Sequence, residues 1–314
     1  MNVNEVPTGV GWTGLMTAFS RAHESLRKDR MFDDPLAAAV VTTANGIRSA
    51  THKRLPRLGP ATNDGSSGLW NLFSFYFAHR TVFYDSRVLN AIDAGCRQIV
   101  LLGAGFDGRA FRLGLPGEAT VFEMDQASVL GFKERILLQH NLVPSCPRVT
   151  LAADLREEIA GPLMAAGFRP DQRTLWIAEG LLMYFTQAEA NRLLDRVSAL
   201  SAVGSHFISE YFTAQWNFED VNYELLDEMD QAVWDLLTWE FPSDPLAQEP
   251  GDWLASHGWE VRTCTTVGEF GRASRREVPP QFATADGPDI FLFDGIKGDG
   301  PKSSVTRQKS YESL

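Results

Sequence analysis

Cysteine is scarce in this chain: Cys96, Cys146 and Cys264 are the only three among 314 residues. They are odd in number and far apart, with no C-x-x-C pair, which argues for reduced thiols packed as core filler. Long apolar runs are missing as well. No stretch approaches the roughly 18 to 20 residues that cross a bilayer, and the first twenty residues lack the basic start and apolar run of a secretion signal. A cytoplasmic protein without a membrane partner is expected. Positive charge is in deficit, with 29 Lys and Arg against 40 Asp and Glu and a net charge of −11. Phosphate backbones need a basic footprint, so this balance argues against nucleic acid as the main partner. The six histidines, at 23, 52, 79, 140, 206 and 257, contain no H-x-x-x-H spacing. No metal site is expected from them.

What remains is an ordinary globular composition, 44% hydrophobic and 22% charged, able to bury a substantial core. Residues 11 to 40 carry apolar positions at helical spacing, with Pro35 near the first turn of a second helix. The Gly-, Pro- and polar-rich stretch from 46 to 68 reads as a loop. A long aromatic helix follows and stops at Gly95. Beyond it, short apolar runs at 98–103, 120–125, 148–154, 174–180 and 205–212 alternate with helical patterns. That alternation predicts an α/β protein, with a parallel sheet covered by helices on both faces. Residues 213 to 245 interrupt it with an acidic helical pattern carrying Trp216, Phe218, Tyr223, Trp234 and Trp239. This segment reads as an insertion over the strand ends. One domain is expected, divided into a helical N-terminal extension (1–95), a cofactor-binding core (96–212), the insertion or lid (213–249), the end of the core (250–297) and a polar, disordered tail (298–314).

The stretch "RQIVLLGAGFDGRAFRL" places Gly103, Gly105 and Gly108 in a literal G-x-G-x-x-G after a strand. Such a turn can hold a dinucleotide, with an acid some twenty residues on for the ribose, and Glu123 and Asp125 satisfy that spacing. Two features oppose this reading. Nearly 100 residues of mostly helical chain precede the strand, and Asp107 sets a carboxylate where a pyrophosphate would sit. S-adenosyl-L-methionine carries no phosphate, and its sulfonium and ammonium suit acids. Three apolar runs end in acid, at Asp125, Asp154 and Glu179, and ligands of open α/β sheets bind outside the carboxyl ends of strands. An arginine from the N-terminal helices, Arg80 or Arg21, would meet the ligand's carboxylate. The competing functions are thus a methyltransferase, a nicotinamide-dependent oxidoreductase and a non-catalytic protein that keeps the fold.

The segments "LLGAGFDGRAFRL", "VFEMDQ", "ADLRE" and "AEGLLMYF", with "SRAHESLRKDRMFDDPLA" and "HRTVFYDSRV" upstream and "DWLASHGWEV" downstream, resemble successive motifs of the leucine carboxyl methyltransferase family. The likeness is greatest to its bacterial branch of S-adenosyl-L-methionine-dependent O-methyltransferases, and it covers roughly residues 17 to 296. The resemblance implies a Rossmann-like class I methyltransferase fold with a mostly parallel seven-stranded sheet. It implies that Arg80 binds the cofactor carboxylate, Gly103 and Gly105 form the turn beside Asp107, and Asp154 and Leu155 take the adenine. Glu179 would lie near the amino-acid end and Arg21 close by. Asp125 or Glu123 would hold the ribose; alternation along a strand puts both on one face, so the two stay open. The family usually has Thr where this chain has Gly108. A small-molecule or peptide acceptor is implied, methylated on a carboxylate or hydroxyl. Catalytic residues are not identified by the motifs. Tyr184, Tyr211 and His206, all on or after strands, are candidates for the acceptor pocket.

Overall fold

The computed structural model describes residues 6–7, 9–51, 57–62, 64–212, 222–238, 241–274, 276–283 and 290–299. Trp216, Phe218, Trp239 and the tail from 300 on lie outside the described residues. The chain opens with three helices, α1 (Val10–Ser25), α2 (Pro35–Thr51) and α3 (Gly68–Asp93). The loop expected from 46 onward begins later, because α2 carries Gly46 and continues to Thr51. A glycine inside a helix costs only about 1 kcal/mol, which the packing of α2 on α1 offsets. α3 is capped by Ser67, whose hydroxyl accepts the Trp70 N–H. Sixteen of its residues are buried, so it runs through the interior rather than over it. Gly95, at φ +93°, ends it in the left-handed conformation that suits glycine.

The strands are β1 (Gln98–Leu102), β2 (Thr120–Asp125), β3 (Arg148–Ala152), β4 (Thr174–Ala178), β5 (His206–Phe212), β6 (Trp259–Thr266) and β7 (Ile290–Lys297). They form one seven-stranded sheet in the order β3-β2-β1-β4-β5-β7-β6. β1 to β5 pair in parallel; β7 runs antiparallel to both β5 and β6, so β6 points the same way as the first five. β1 and β4 lie at the centre and are buried along their whole length, which explains their unbroken apolar runs. β3 is at an edge and only half-buried.

The connecting helices are α4 (Arg109–Arg112), α5 (Ala127–Gln139), α6 (Ala160–Ala165), α7 (Gln187–Ala199), α8 (Glu228–Thr238), α9 (Pro250–Ser256), α10 (Val267–Arg272) and α11 (Pro280–Ala283). α7 starts with a capping box, in which Thr186 and Glu189 satisfy each other's backbone N–H groups. The order of strands reverses between β1 and β4, and the chain ends of both open toward the same side. That switch point is where an open sheet forms a crevice. Among the described residues, no helix is long and apolar enough to cross a membrane.

Candidate active site

At the switch point lies a cavity of about 800 Å³, in the upper part of the range for small-molecule sites. Its floor is the turn after β1. Gly103 (φ +73°) and Gly105 (φ +46°) take left-handed conformations that most side chains resist. The N–H groups of Gly103 and Ala104 both bond the Met124 carbonyl, 3.0 and 2.9 Å away. β2 therefore holds the turn, and Asp125, the next residue, is brought under it. Asp125 Oδ2 accepts the Gly105 N–H at 2.6 Å and Oδ1 the Gln126 N–H at 2.6 Å. Burial raises the Asp125 pKa, and these two N–H groups oppose the rise.

Gly108 is different. Its φ is −104°, which any residue can adopt. A Cβ there would stand 2.6 Å from Asp34 Oδ1, and Asp34 is fixed by Arg21 Nε at 2.9 Å and the Ala37 N–H at 3.0 Å. The third glycine of the motif thus makes room for a carboxylate of the N-terminal extension. The threonine usual in the family has no place here.

The extension is buckled to the turn by charge. Arg21 donates to the Phe106 carbonyl at 2.7 Å. Asp85 of α3 receives Arg109 Nε at 2.8 Å and both Nη groups of Arg112 at 2.6 and 2.7 Å. Arg109 also reaches Asp107 and, at 2.6 Å, Glu179 Oε2. Burial disfavours the Asp107 carboxylate, but the Arg109 charge outweighs it and the pKa falls to about 2. Arg80 pairs with Glu179 and Glu210, each at 3.0 Å, and not with Asp85 on its own helix. Its Nε lies close to Glu179 but makes no hydrogen bond among the described residues.

The crevice is lined by five arginines, at 21, 80, 109, 112 and 156, and four acids, Asp107, Asp125, Asp154 and Glu179. It is not the acid-rich crevice expected from the strand ends, because helices α1, α3 and α4 contribute cations that strand patterns do not show. The pairing is uneven, however. Each of the five arginines has a carboxylate partner. Among the described residues, Asp125 and Asp154 are the two lining acids without a cation partner. Asp154 lies two residues past β3 and accepts the Arg156 N–H at 2.9 Å, so it turns the chain while keeping an oxygen free of charge pairing.

Arg21, Arg80, Gly103, Gly105, Asp107, Asp125, Asp154, Leu155, Glu179 and Tyr184 all line the cavity. Glu123 does not. It is fully buried and holds Lys133 Nζ at 2.8 Å and Arg148 at 2.7 and 2.8 Å. It shares a face with Asp125, but it sits a step deeper in the sheet, where α5 and β3 supply cations. His206 is also removed from the site. It starts β5, at the end away from the crevice, and contacts Asp294 at 3.2 Å. Tyr211 faces the side packed by α9, and its hydroxyl bonds the Gln248 carbonyl. Neither is in the cofactor cavity.

Sequence reading missed Glu210. This fully buried acid near the end of β5 accepts the Gly180 N–H at 2.6 Å, Arg80 Nη1 and the Tyr84 hydroxyl. Burial raises its pKa against the pull of Arg80. The run of β5 ends in Tyr211 and Phe212, so the rule that singled out acids at the ends of β2, β3 and β4 passes over it.

The family model for leucine carboxyl methyltransferase matches residues 14–198. A protein of Parafrankia sp. strain EAN1pec, provisionally named an S-adenosyl-L-methionine-dependent methyltransferase, is 38% identical over 86% of this chain and 84% of its own length. One from Mycobacterium tuberculosis strain H37Ra, named likewise, is 37% identical over 86% of each. The chain belongs to the leucine carboxyl methyltransferase family. Its cofactor is S-adenosyl-L-methionine. A crystal structure of a methyltransferase, also provisionally named, from Thermobifida fusca YX shares the fold, with a TM-score of 0.50 at 15% identity, covering 89% of this chain and 94% of that one. A nicotinamide-dependent oxidoreductase finds no support in these relatives. The turn itself agrees: the helix that would face a pyrophosphate is α4, a single turn of four residues.

Proposed function

We propose that this methyltransferase acts on oxygen, and that the acceptor is a carboxylate of a small molecule or peptide. The pairing pattern of the crevice supports the cofactor's position in this reading, and the lining of the chamber next to it carries the choice of acceptor. Asp125 and Asp154, on neighbouring strand ends, keep carboxylates for the ribose hydroxyls and the adenine amino group, with Leu155 against the ring. Arg80 keeps Nη2 without a hydrogen-bond partner among the described residues, for the cofactor's carboxylate. Glu179, between Arg80 and Arg109, lies on the path of the ammonium group.

Bound here, the cofactor supplies an electrophilic methyl on a positive sulfur, which leaves as a neutral thioether when an oxygen lone pair attacks in line. The chain's part is to hold donor and acceptor in register and exclude water, an effect of proximity and orientation. Among the described residues, no histidine or carboxylate lines the chamber next to the cofactor cavity, and this favours a carboxylate acceptor. Beyond the cofactor cavity lies a small chamber whose titratable lining residues, among those described, are Arg80, Tyr76 and Tyr184. Burial, reinforced by Glu210, holds the Tyr76 hydroxyl protonated well above the usual range. An alcohol would need a proton acceptor there. A carboxylic acid, with a pKa near 4, arrives ionised.

Calorimetry with S-adenosylhomocysteine tests the cofactor assignments. Asp125→Ala and Asp154→Ala should each weaken binding, and unchanged affinity in a folded variant would remove that residue from the site. Transfer of a labelled methyl group to a panel of acids and alcohols tests the acceptor. Base-labile label marks an ester, whereas base-stable label on an alcohol would overturn the carboxylate reading.

A further inference from the structure

The cofactor cavity does not end at Arg80. Thr13, Thr17, Arg80, Gly180 and Tyr184 line both it and the chamber of about 50 Å³ behind it. Past this shared gate the walls are apolar, with Phe73, Phe77, Met183, Phe212 and Phe241 among them. Met183, Phe212 and Phe241 then also line a narrower void of about 20 Å³, which ends at Pro245 and Leu246. Three spaces thus stand in series, each sharing side chains with the next.

The gate is the polar end of this series. Gly180 is at φ +65°, and a Cβ there would come within 3.3 Å of Arg80 Nη1, so glycine keeps the passage beside the arginine clear. The other end is apolar. Tyr211 borders the last void, but its hydroxyl is taken by the Gln248 carbonyl, and it offers its ring. Dry apolar voids cost packing energy, and a succession of them leading from a reaction centre is the form of a ligand site. Their width matters. Volumes of about 50 and 20 Å³ admit a chain of a few methylene groups and no fused ring.

We infer that the acceptor is an amphiphile with a slim, unbranched alkyl tail, its reactive oxygen at the Arg80–Tyr184 gate and its tail laid past Met183 and Phe241 toward Leu246. This rests on the methyltransferase reading above and adds a substrate class to it. A compact polar metabolite would leave the series of voids unfilled, and a bulky polycyclic one would not enter.

The test is a chain-length profile with the full-length protein, labelled cofactor and straight-chain acids from butanoic to tetradecanoic. Wild-type kcat/KM should climb with length to an optimum and fall beyond it, each well-buried methylene adding up to about tenfold. Met183→Trp narrows the neck and should shift the optimum to shorter acids, lowering kcat/KM for the best long acid at least about tenfold with S-adenosylhomocysteine affinity retained. Phe241→Ala widens it and should move the optimum to longer acids; it decides the matter if the tryptophan variant does not fold. A flat profile, a profile unmoved by either folded variant, or a wild type that binds S-adenosylhomocysteine yet methylates none of the acids overturns the inference while the cofactor site stands. Failure of the wild type to bind S-adenosylhomocysteine strikes the methyltransferase reading first, and this inference with it.

Discussion

Asp125 and Glu123 are two residues apart on one strand, yet they have opposite roles. Among the described residues, Asp125 is held by two backbone N–H groups and no cation; Glu123 is locked between Lys133 and Arg148. The burial that raises the Asp125 pKa gives a pH signature. As pH falls through that raised value its carboxylate gains a proton and no longer accepts two ribose hydroxyls. Affinity for S-adenosylhomocysteine should therefore drop at a pH above the ordinary aspartate range. In Asp125→Asn it should be weaker by about tenfold to a hundredfold, two hydrogen bonds to a charged group being lost, and flat across that interval. Calorimetric titrations at several pH values check this, and the same pH dependence in Asn and wild type would assign the titration elsewhere. Glu123→Gln should do the reverse. Breaking a buried ion network typically costs about 3 to 5 kcal/mol, so urea unfolding should show a large loss of stability while cofactor affinity changes less than about twofold.

At the scale of elements, the N-terminal extension is part of the site rather than a cover on it. Arg21 of α1 holds the backbone of the glycine turn, Asp34 ahead of α2 fills the space left by Gly108, and Asp85 of α3 grips Arg109 and Arg112 of α4. Such buried pairs contribute little net stability against desolvation, but they set how elements dock. Gly108→Thr should push the Asp34 carboxylate off Arg21 and cost about 1 to 3 kcal/mol, as overpacking does. In Asp34→Ala the same substitution should cost much less, and that non-additivity is the diagnostic. Additive losses in a double-mutant cycle would mean that Asp34 is not what the glycine accommodates.

For the whole molecule, the crevice is assembled from the carboxyl ends of β1, β2, β3 and β4 together with α1, α3 and α4, so filling it should stabilise the fold as a unit. At a ligand concentration of about 100 times Kd, linkage predicts about 2.7 kcal/mol of added stability. S-adenosylhomocysteine should raise the melting temperature by several degrees in a thermal-shift assay, and NAD should leave it unchanged. A shift with NAD alone would revive the dinucleotide reading of the turn.

The sequence by itself determined the alternation of strands and helices, the parallel sheet, the glycine turn and the acids at or just past the ends of β2, β3 and β4. All of these are written in local periodicity and spacing: a period of two or 3.6, a glycine where φ must be positive, an acid where an apolar run stops. Tertiary structure decided which charges meet. Arg109 against Asp85, Glu210 under Arg80, Asp34 against Gly108 and Lys133 beside Glu123 are contacts between residues from different segments, several of them far apart in the chain. The acids at the strand ends predict a negative crevice, and the fold fills it with arginines, because the sign of a buried site depends on every side chain brought within a few ångströms and not only on those the strand pattern shows.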